Sequence, residues 1–343
     1  MDVLALTGDG IGPEVMASAL TVVGELDLGW NVDLRPDVNS STWLETGSAL
    51  PDDLIRDIQG GAYGAILFGA VGDPRAPEGV VERHILLRLR FVLDLGLNIR
   101  PLRLPRGVSS PLASGARIDA VVVRENTEGA YSGLGGLMRS GQPMETAVTV
   151  SVTTRFGVER ALRHAVSLAE RRSGRLTLVH KANVLQDEGG LWRRVAEEVA
   201  SGIPGVTLSY QHADLAAMRL MLDPESYDVI VTDNLFGDLL TDLGAGLSGG
   251  IGLAPSANIN PASGLALFEP VHGSAPDIAG RGVANPLAMI RCVGLAAEHV
   301  GQAGAAAVIE AATDAVAVDT DRRSTAEITD AVLAALSFDR QIV

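Results

Sequence analysis

Apolar residues recur along the chain in two alternating patterns, short runs that read as strands and longer stretches spaced three and four apart that read as helices. Strands are predicted over 2–7, 30–34, 63–68, 118–123, 176–180, 206–211 and 227–232, and helices over 15–26, 52–58, 80–95, 156–172 and 214–222. Strand and helix taking turns in this way predicts an α/β fold. The stretch 145–154 breaks the rhythm, because it is β-branched and alternating, which suits an antiparallel strand and predicts an inserted arm. Three alanine-rich amphipathic helices, 286–300, 303–317 and 324–336, follow late in the chain and carry no evident chemistry.

Charge gathers where the apolar strands end, which is where open α/β sheets place their sites. Strand 227–232 gives way to Asp233-Asn234-Leu235-Phe236-Gly237-Asp238-Leu239-Leu240-Thr241-Asp242. On a helix Asp238 and Asp242 share one face and repel each other, unless a hard divalent cation such as Mg²⁺ or Mn²⁺ turns the repulsion into binding. A solvated acidic face is the plainer alternative. Strand 118–123 ends in Arg124-Glu125-Asn126-Thr127-Glu128-Gly129-Ala130-Tyr131, offering a planar carboxylate-binding group and a phenol. Strand 176–180 ends at Lys181, a candidate base if it is desolvated and a surface lysine otherwise. Asp214 opens helix 214–222, either as a residue favoured by the helix dipole or as a third metal ligand. Arg90 and Arg100 could clamp a carboxylate or form surface ion pairs.

Two loops complete the picture. Gly8-Asp9-Gly10-Ile11-Gly12-Pro13-Glu14 follows the first strand and invites a Rossmann assignment, supported by Asp33 at the place of the ribose carboxylate. Pro13 stands where the third glycine of G-x-G-x-x-G is needed, so that fold is rejected. The stretch 269–280 is small, rigid and polar, the composition of a loop that wraps a ligand rather than of a core element.

The 343 residues, 47% of them hydrophobic, suffice for two domains of ordinary size. A formal charge of -15 disfavours nucleic acid and anionic membrane as partners. Cys292 is the only cysteine, which rules out an intramolecular disulfide and fits a reducing compartment. With no leader-like start and no apolar run of spanning length, a cytoplasmic protein is expected.

Taken together, these stretches resemble the β-decarboxylating dehydrogenases, the family that oxidises isopropylmalate, isocitrate, homoisocitrate and tartrate or D-malate. The likeness is carried by Gly8-Asp9-Gly10-Ile11-Gly12-Pro13-Glu14, Asn98-Ile99-Arg100-Pro101, Val123-Arg124-Glu125-Asn126-Thr127-Glu128-Gly129, His180-Lys181-Ala182-Asn183, Asp233-Asn234-Leu235-Phe236-Gly237-Asp238 and Glu269-Pro270-Val271-His272-Gly273-Ser274-Ala275-Pro276-Asp277. It implies an isocitrate/isopropylmalate dehydrogenase-like fold with two domains around a large mixed sheet. Residues 1–99 plus 252–343 would form the larger, cofactor-binding domain, and 100–251 the second, with the arm and a homodimer interface.

The resemblance also implies roles. Arg90, Arg100 and Arg124 would hold the malate carboxylates, while Asp214, Asp238 and Asp242 would hold Mg²⁺ or Mn²⁺. Lys181 would take the C2 hydroxyl proton and Tyr131 would reprotonate the carbon after CO₂ is lost, with Lys181 and Asp214 reaching the partner subunit's site. NAD would lie against Glu269, His272, Gly273, Ser274, Ala275, Asp277, Ile278 and Asn285, and the Asp277 carboxylate would repel the 2′-phosphate of NADP. Leu86 and Leu87, near His84, resemble the apolar wall that accepts an isopropyl group, with Val184 of the partner subunit expected to add to it, and burying that group is worth roughly 2 kcal/mol. The expected reaction is oxidative decarboxylation of 3-isopropylmalate to 2-oxoisocaproate, in leucine biosynthesis. The alternative is the same chemistry on another 3-substituted malate, because His84 and the Asn126-Thr127 pair depart from the isopropylmalate pattern.

Overall fold

The computed structural model describes residues 1–77, 79–113, 115–320 and 322–339. The chain forms two compact units, one of Met1–Leu95, Arg103–Pro111 and Ala245–Val343, the other of Gly96–Leu102 and Leu112–Gly244.

The first unit begins with β1 (Asp2–Gly8), α1 (Gly12–Leu26), β2 (Asn31–Arg35), α2 (Ser40–Thr46), α3 (Asp52–Gln59) and β3 (Ala65–Ala70). Pro13 lies in the first turn of α1, where a missing N–H costs nothing. A helical stretch follows in three pieces: α4 (Val80–Glu82), a π-helical turn at Arg83–Leu87, and α5 (Arg88–Val92). The helix predicted over 80–95 is therefore interrupted, and such π turns concentrate at functional sites.

The second unit comprises β4 (Leu97–Arg103), β5 (Asp119–Glu125), β6 (Gly135–Met138), β7 (Thr146–Thr149), α6 (Arg155–Glu170), β8 (Arg175–His180), α7 (Gln186–Ala200), β9 (Thr207–His212), α8 (Ala213–Leu222), β10 (Val229–Thr232) and α9 (Asn234–Leu247). The chain then returns to the first unit as β11 (Pro255–Ile259), β12 (Ala266–Pro270), α10 (Leu287–His299), α11 (Ala303–Val316) and α12 (Thr325–Asp339).

In the first unit the strands run in the order β2-β1-β3-β12-β11, parallel except for β11 against β12. Leu4, Leu6, Ile66, Phe68 and Leu267 from the strands meet Leu54, Ile58, Ile85 and Leu89 from the helices in one core. In the second unit the order is β4-β5-β10-β8-β9. β5, β10, β8 and β9 are parallel, and the first three are almost wholly buried because α6 and α7 cover them. Their register opposes Thr232 to Arg124 and to Val179, so Arg124, Asp233 and Lys181 emerge at one edge.

The stretch 145–154 contributes only a short strand. β6 and β7 pair antiparallel with every residue exposed, Leu137 at 62% and Met138 at 54%. α2 and α7 were not predicted: α2 is a seven-residue polar segment too short to show a period, started by Asn39, whose side chain accepts from the Thr42 amide at 2.8 Å. The expectation of a ligand-wrapping loop over 269–280 needs one correction. Glu269 and Pro270 end β12 and are buried, and the loop proper starts at Val271. Among the described residues no helix is long and apolar enough to cross a membrane.

Candidate active site

Two clusters contain the predicted residues, one in each unit. In the second unit, Arg124 leaves the end of β5 only 1% exposed, so its charge must be matched within the protein. Its Nη1 donates to Asp238 Oδ1 at 2.5 Å, and its Nε and Nη2 donate to Asn234 Oδ1 at 2.9 and 2.6 Å. Gly237 is the residue that lets the guanidinium lie against α9, since a Cβ there would come within 2.5 Å of the Arg124 stem.

Arg100 leaves β4 toward the same helix. Its Nε donates to Asn98 Oδ1 at 2.8 Å, and its Nη1 donates to Thr241 Oγ1 at 2.7 Å and Asp242 Oδ1 at 3.1 Å. Its Nη2 is 3.6 Å from Asp238 Oδ1. Tyr131 adds a hydrogen bond from its hydroxyl to Asp238 Oδ2 at 2.8 Å and lies under the Arg124 guanidinium, 5.2 Å from the ring centroid. Arg100, Arg124, Tyr131, Asp238 and Asp242 are thus one constellation, assembled from β4, β5, the turn after β5 and α9.

The electrostatics of the two aspartates differ. Burial raises both carboxyl pKa values, but for Asp238 the charges of Arg124 and Arg100 and the Tyr131 bond prevail, holding it below the ordinary carboxylate value. Asp242 is shifted up, by burial first and by the charge of Asp238 as well, despite Arg100. Burial, reinforced by the bond to Asp238, raises the Tyr131 phenol, which stays protonated at neutral pH. Two carboxylates on one turn of helix, with Asp242 61% exposed, supply the hard oxygen donors that Mg²⁺ or Mn²⁺ takes. Among the described residues no group of three or more His, Cys, Asp or Glu side chains is placed to hold a metal. Asp214 lies apart from this pair, in the first turn of α8.

Lys181, one residue past β8, donates to Asp214 Oδ1 at 2.6 Å, and the lysine lowers the carboxyl pKa of Asp214. Val184, in the turn after Lys181, is 65% exposed. Leu215, Met218 and Leu222 of α8 are exposed too, at 40%, 51% and 74%.

In the first unit Arg90 is no surface residue. Its Nη2 donates to Glu269 Oε1 at 2.7 Å, and the same oxygen accepts from Asn258 Nδ2 at 2.8 Å. The Nε of Arg90 is buried without a partner among the described residues. One turn back, Leu86 packs against the core and Leu87 is half-buried, whereas His84 is exposed beside Trp43, ring centroids 5.2 Å apart.

The loop after β12 offers groups suited to a dinucleotide. His272 Nδ1–H donates to the Gly273 carbonyl at 3.0 Å, leaving Nε2 a buried acceptor with no partner among the described residues, as an adenine amino group would require. Burial lowers the imidazole pKa, keeping that acceptor neutral. Ser274 is buried, Ala275 holds a positive φ of 40°, and Gly273 and Asp277 are exposed. The Ile278 amide donates to the Ala275 carbonyl at 3.1 Å, and Asn285 Oδ1 accepts from the Leu287 amide at 3.0 Å at the start of α10. A hydrogen-bonding, partly exposed loop of this kind fits NAD.

The sequence reading missed Asn234, Thr241, Asn98 and Asn258, which position the arginines and Glu269. Asn234 and Asn98 stood inside quoted motifs without a role. Asn258 had no signal, because only folding brings β11 beside Glu269.

The isocitrate/isopropylmalate dehydrogenase family model matches residues 2–336. The chain is 52% identical to 3-isopropylmalate dehydrogenase of Frankia casuarinae, over 91% of each chain. It is 50% identical to 3-isopropylmalate dehydrogenase of Nocardia farcinica, over 98% of this chain and all of the relative. The crystal structure of isocitrate dehydrogenase from Methylococcus capsulatus superposes with a TM-score of 0.88 at 35% identity, covering 98% of this chain and 99% of the other.

Proposed function

The chain belongs to the isocitrate/isopropylmalate dehydrogenase family, and we propose from that premise that it oxidises and decarboxylates 3-isopropylmalate with NAD⁺ and Mg²⁺ or Mn²⁺, giving 2-oxoisocaproate and CO₂ for leucine synthesis. The observation that carries the reading is the constellation in which two arginines, a phenol and two carboxylates converge on one face of α9. Its chemistry is that of a dicarboxylate oxidised beside a divalent cation.

Arg100 and Arg124 hold and orient the carboxylates of the malate, planar forks matching planar anions. Asp238 and Asp242, with Asp214, are the residues that would hold the metal. When bound, NAD⁺ supplies the hydride acceptor and the divalent ion the electrophile that draws electron density from the C2 oxygen. Lys181 removes the C2 hydroxyl proton with the free electron pair of its amine, and Asp214, whose Oδ1 accepts a hydrogen bond from its Nζ, keeps that nitrogen in place. After CO₂ has left, Tyr131 delivers a proton to the carbon that carried it, a role its raised phenol pKa permits at neutral pH.

Lys181 and Asp214 serve the partner subunit's site in a homodimer. The exposed apolar residues of α8 and of the arm support that assembly, as such faces are normally covered. For the 3-substituent, Leu87 and Val184 offer apolar surface, whereas isocitrate would bring a third carboxylate. The test is stoichiometry: purified protein with 3-isopropylmalate should yield one NADH and one CO₂ per 2-oxoisocaproate, and only with the divalent ion present. Production of NADH without CO₂ would contradict the reading.

A further inference from the structure

We propose that the turn Gly8-Asp9-Gly10-Ile11-Gly12 is a clamp for the loop 271–280 rather than a phosphate cradle, with Asp9 as its positioning residue. A phosphate cradle needs free backbone amides and bare glycine faces turned to the ligand. Here three of the amides already donate: Asp9 to the Ala70 carbonyl, Ile11 to the Ser274 carbonyl and Gly12 to the Asp9 carbonyl, each at 2.8 Å. The glycine faces are used up as well. A Cβ on Gly8 would lie 1.7 Å from the Ala70 oxygen, and one on Gly10 would lie 1.9 Å from the Ser274 oxygen. The turn is pressed against protein backbone on both sides.

Asp9 ties the turn to two more segments. Its Oδ1 accepts from the Ser40 amide at 2.8 Å, and its Oδ2 accepts from Ser40 Oγ at 2.5 Å and the Gly72 amide at 3.0 Å. Gly72 in turn presents its bare face to Ser274 Oγ, 3.1 Å from where a Cβ would stand. The start of α2 and the segment after β3 therefore meet at one carboxylate, the loop after β12 is held beside it through Ile11 and against Gly72, and a carboxylate there would repel a pyrophosphate. Ser274 sits among the residues assigned above to NAD, so the clamp fixes the height of that loop. The proposal rests on the NAD reading of the loop.

The test compares the intact protein with Asp9→Asn, Ser40→Ala and Asp277→Asn. Asp9→Asn removes the charge and at least one of the three bonds. It should speed hydrogen exchange of the amides of 271–280 in cofactor-free protein and weaken NADH, titrated by calorimetry, about tenfold. KM for 3-isopropylmalate should change less than about twofold. Ser40→Ala, a milder change that keeps the Gly72 bond, should shift the same readouts in the same direction by less. Unchanged exchange of the loop in Asp9→Asn overturns the clamp, as does a general loss of thermal stability and kcat with loop exchange and NADH affinity intact. If loop exchange rises while neither Asp9→Asn nor Asp277→Asn weakens NADH, the clamp stands and the NAD reading of the loop falls.

Discussion

Arg90 Nη2 donates to Glu269 Oε1 across 2.7 Å with each side chain only 8% exposed, although 179 positions separate them in sequence. A buried pair of this kind adds little over an apolar pair, yet removing one partner strands a charge, at a cost of about 3–5 kcal/mol. Glu269→Ala should therefore destabilise the protein by several kcal/mol, and Arg90→Met with Glu269→Leu should cost less than the sum of the single changes. A double-mutant cycle by urea denaturation checks this. Additive costs would mean the pair is not coupled.

Asp238 balances Arg124 and Arg100 while presenting an oxygen on the same face as Asp242. Asp238→Asn keeps the volume and removes the charge. Affinity for Mn²⁺, read by calorimetry, should fall at least about tenfold, and kcat at least about a hundredfold, with the near-ultraviolet circular dichroism retained. Undiminished turnover at limiting Mg²⁺ would return Asp238 to a merely solvated acidic face.

The His272 imidazole is held below its ordinary value by burial. Because its folded pKa lies below the unfolded one, its stabilising contribution is complete above about pH 6.5 and is lost as pH falls from there through the folded pKa. The stability difference between the unmutated protein and His272→Asn should shrink between about pH 7 and 5, followed by urea denaturation. A difference that grows toward acid would mean that the imidazole is stabilised in its charged form.

Much of this was legible in the sequence, for a physical reason. Arg124, Lys181 and Asp233 follow short, mostly apolar strands, the pattern of parallel strands buried on both faces. The spacing of Asp238 and Asp242 likewise fixed a shared helical face. What stayed hidden depends on tertiary proximity. The Glu269–Asn258 bond, the Asn234 cradle under Arg124 and the Asp9–Ser40–Gly72 junction join segments whose separation leaves no periodic signature. The π turn at Arg83–Leu87 was hidden too, because one extra residue in a helix does not disturb a short apolar pattern.

If Lys181 and Asp214 act across a dimer, Lys181→Ala and Arg124→Ala damage different halves of each site. Mixing the two inactive proteins under subunit exchange should restore up to about a quarter of normal activity, since random reassociation makes half the dimers mixed and one of their two sites intact. No recovery after mass spectrometry has shown mixed dimers would assign Lys181 to its own subunit's site.

The central claim, that this chain's malate carries an apolar isopropyl group, is tested most directly by kcat/KM for 3-isopropylmalate against isocitrate, read from NADH absorbance at saturating NAD⁺ and Mg²⁺. If Leu87 lines the pocket for the 3-substituent, it would gain on the order of 2 kcal/mol from an isopropyl group and lose several by stripping water from a third carboxylate. The ratio should exceed about a thousandfold in favour of 3-isopropylmalate. Equal or faster turnover of isocitrate would contradict the account.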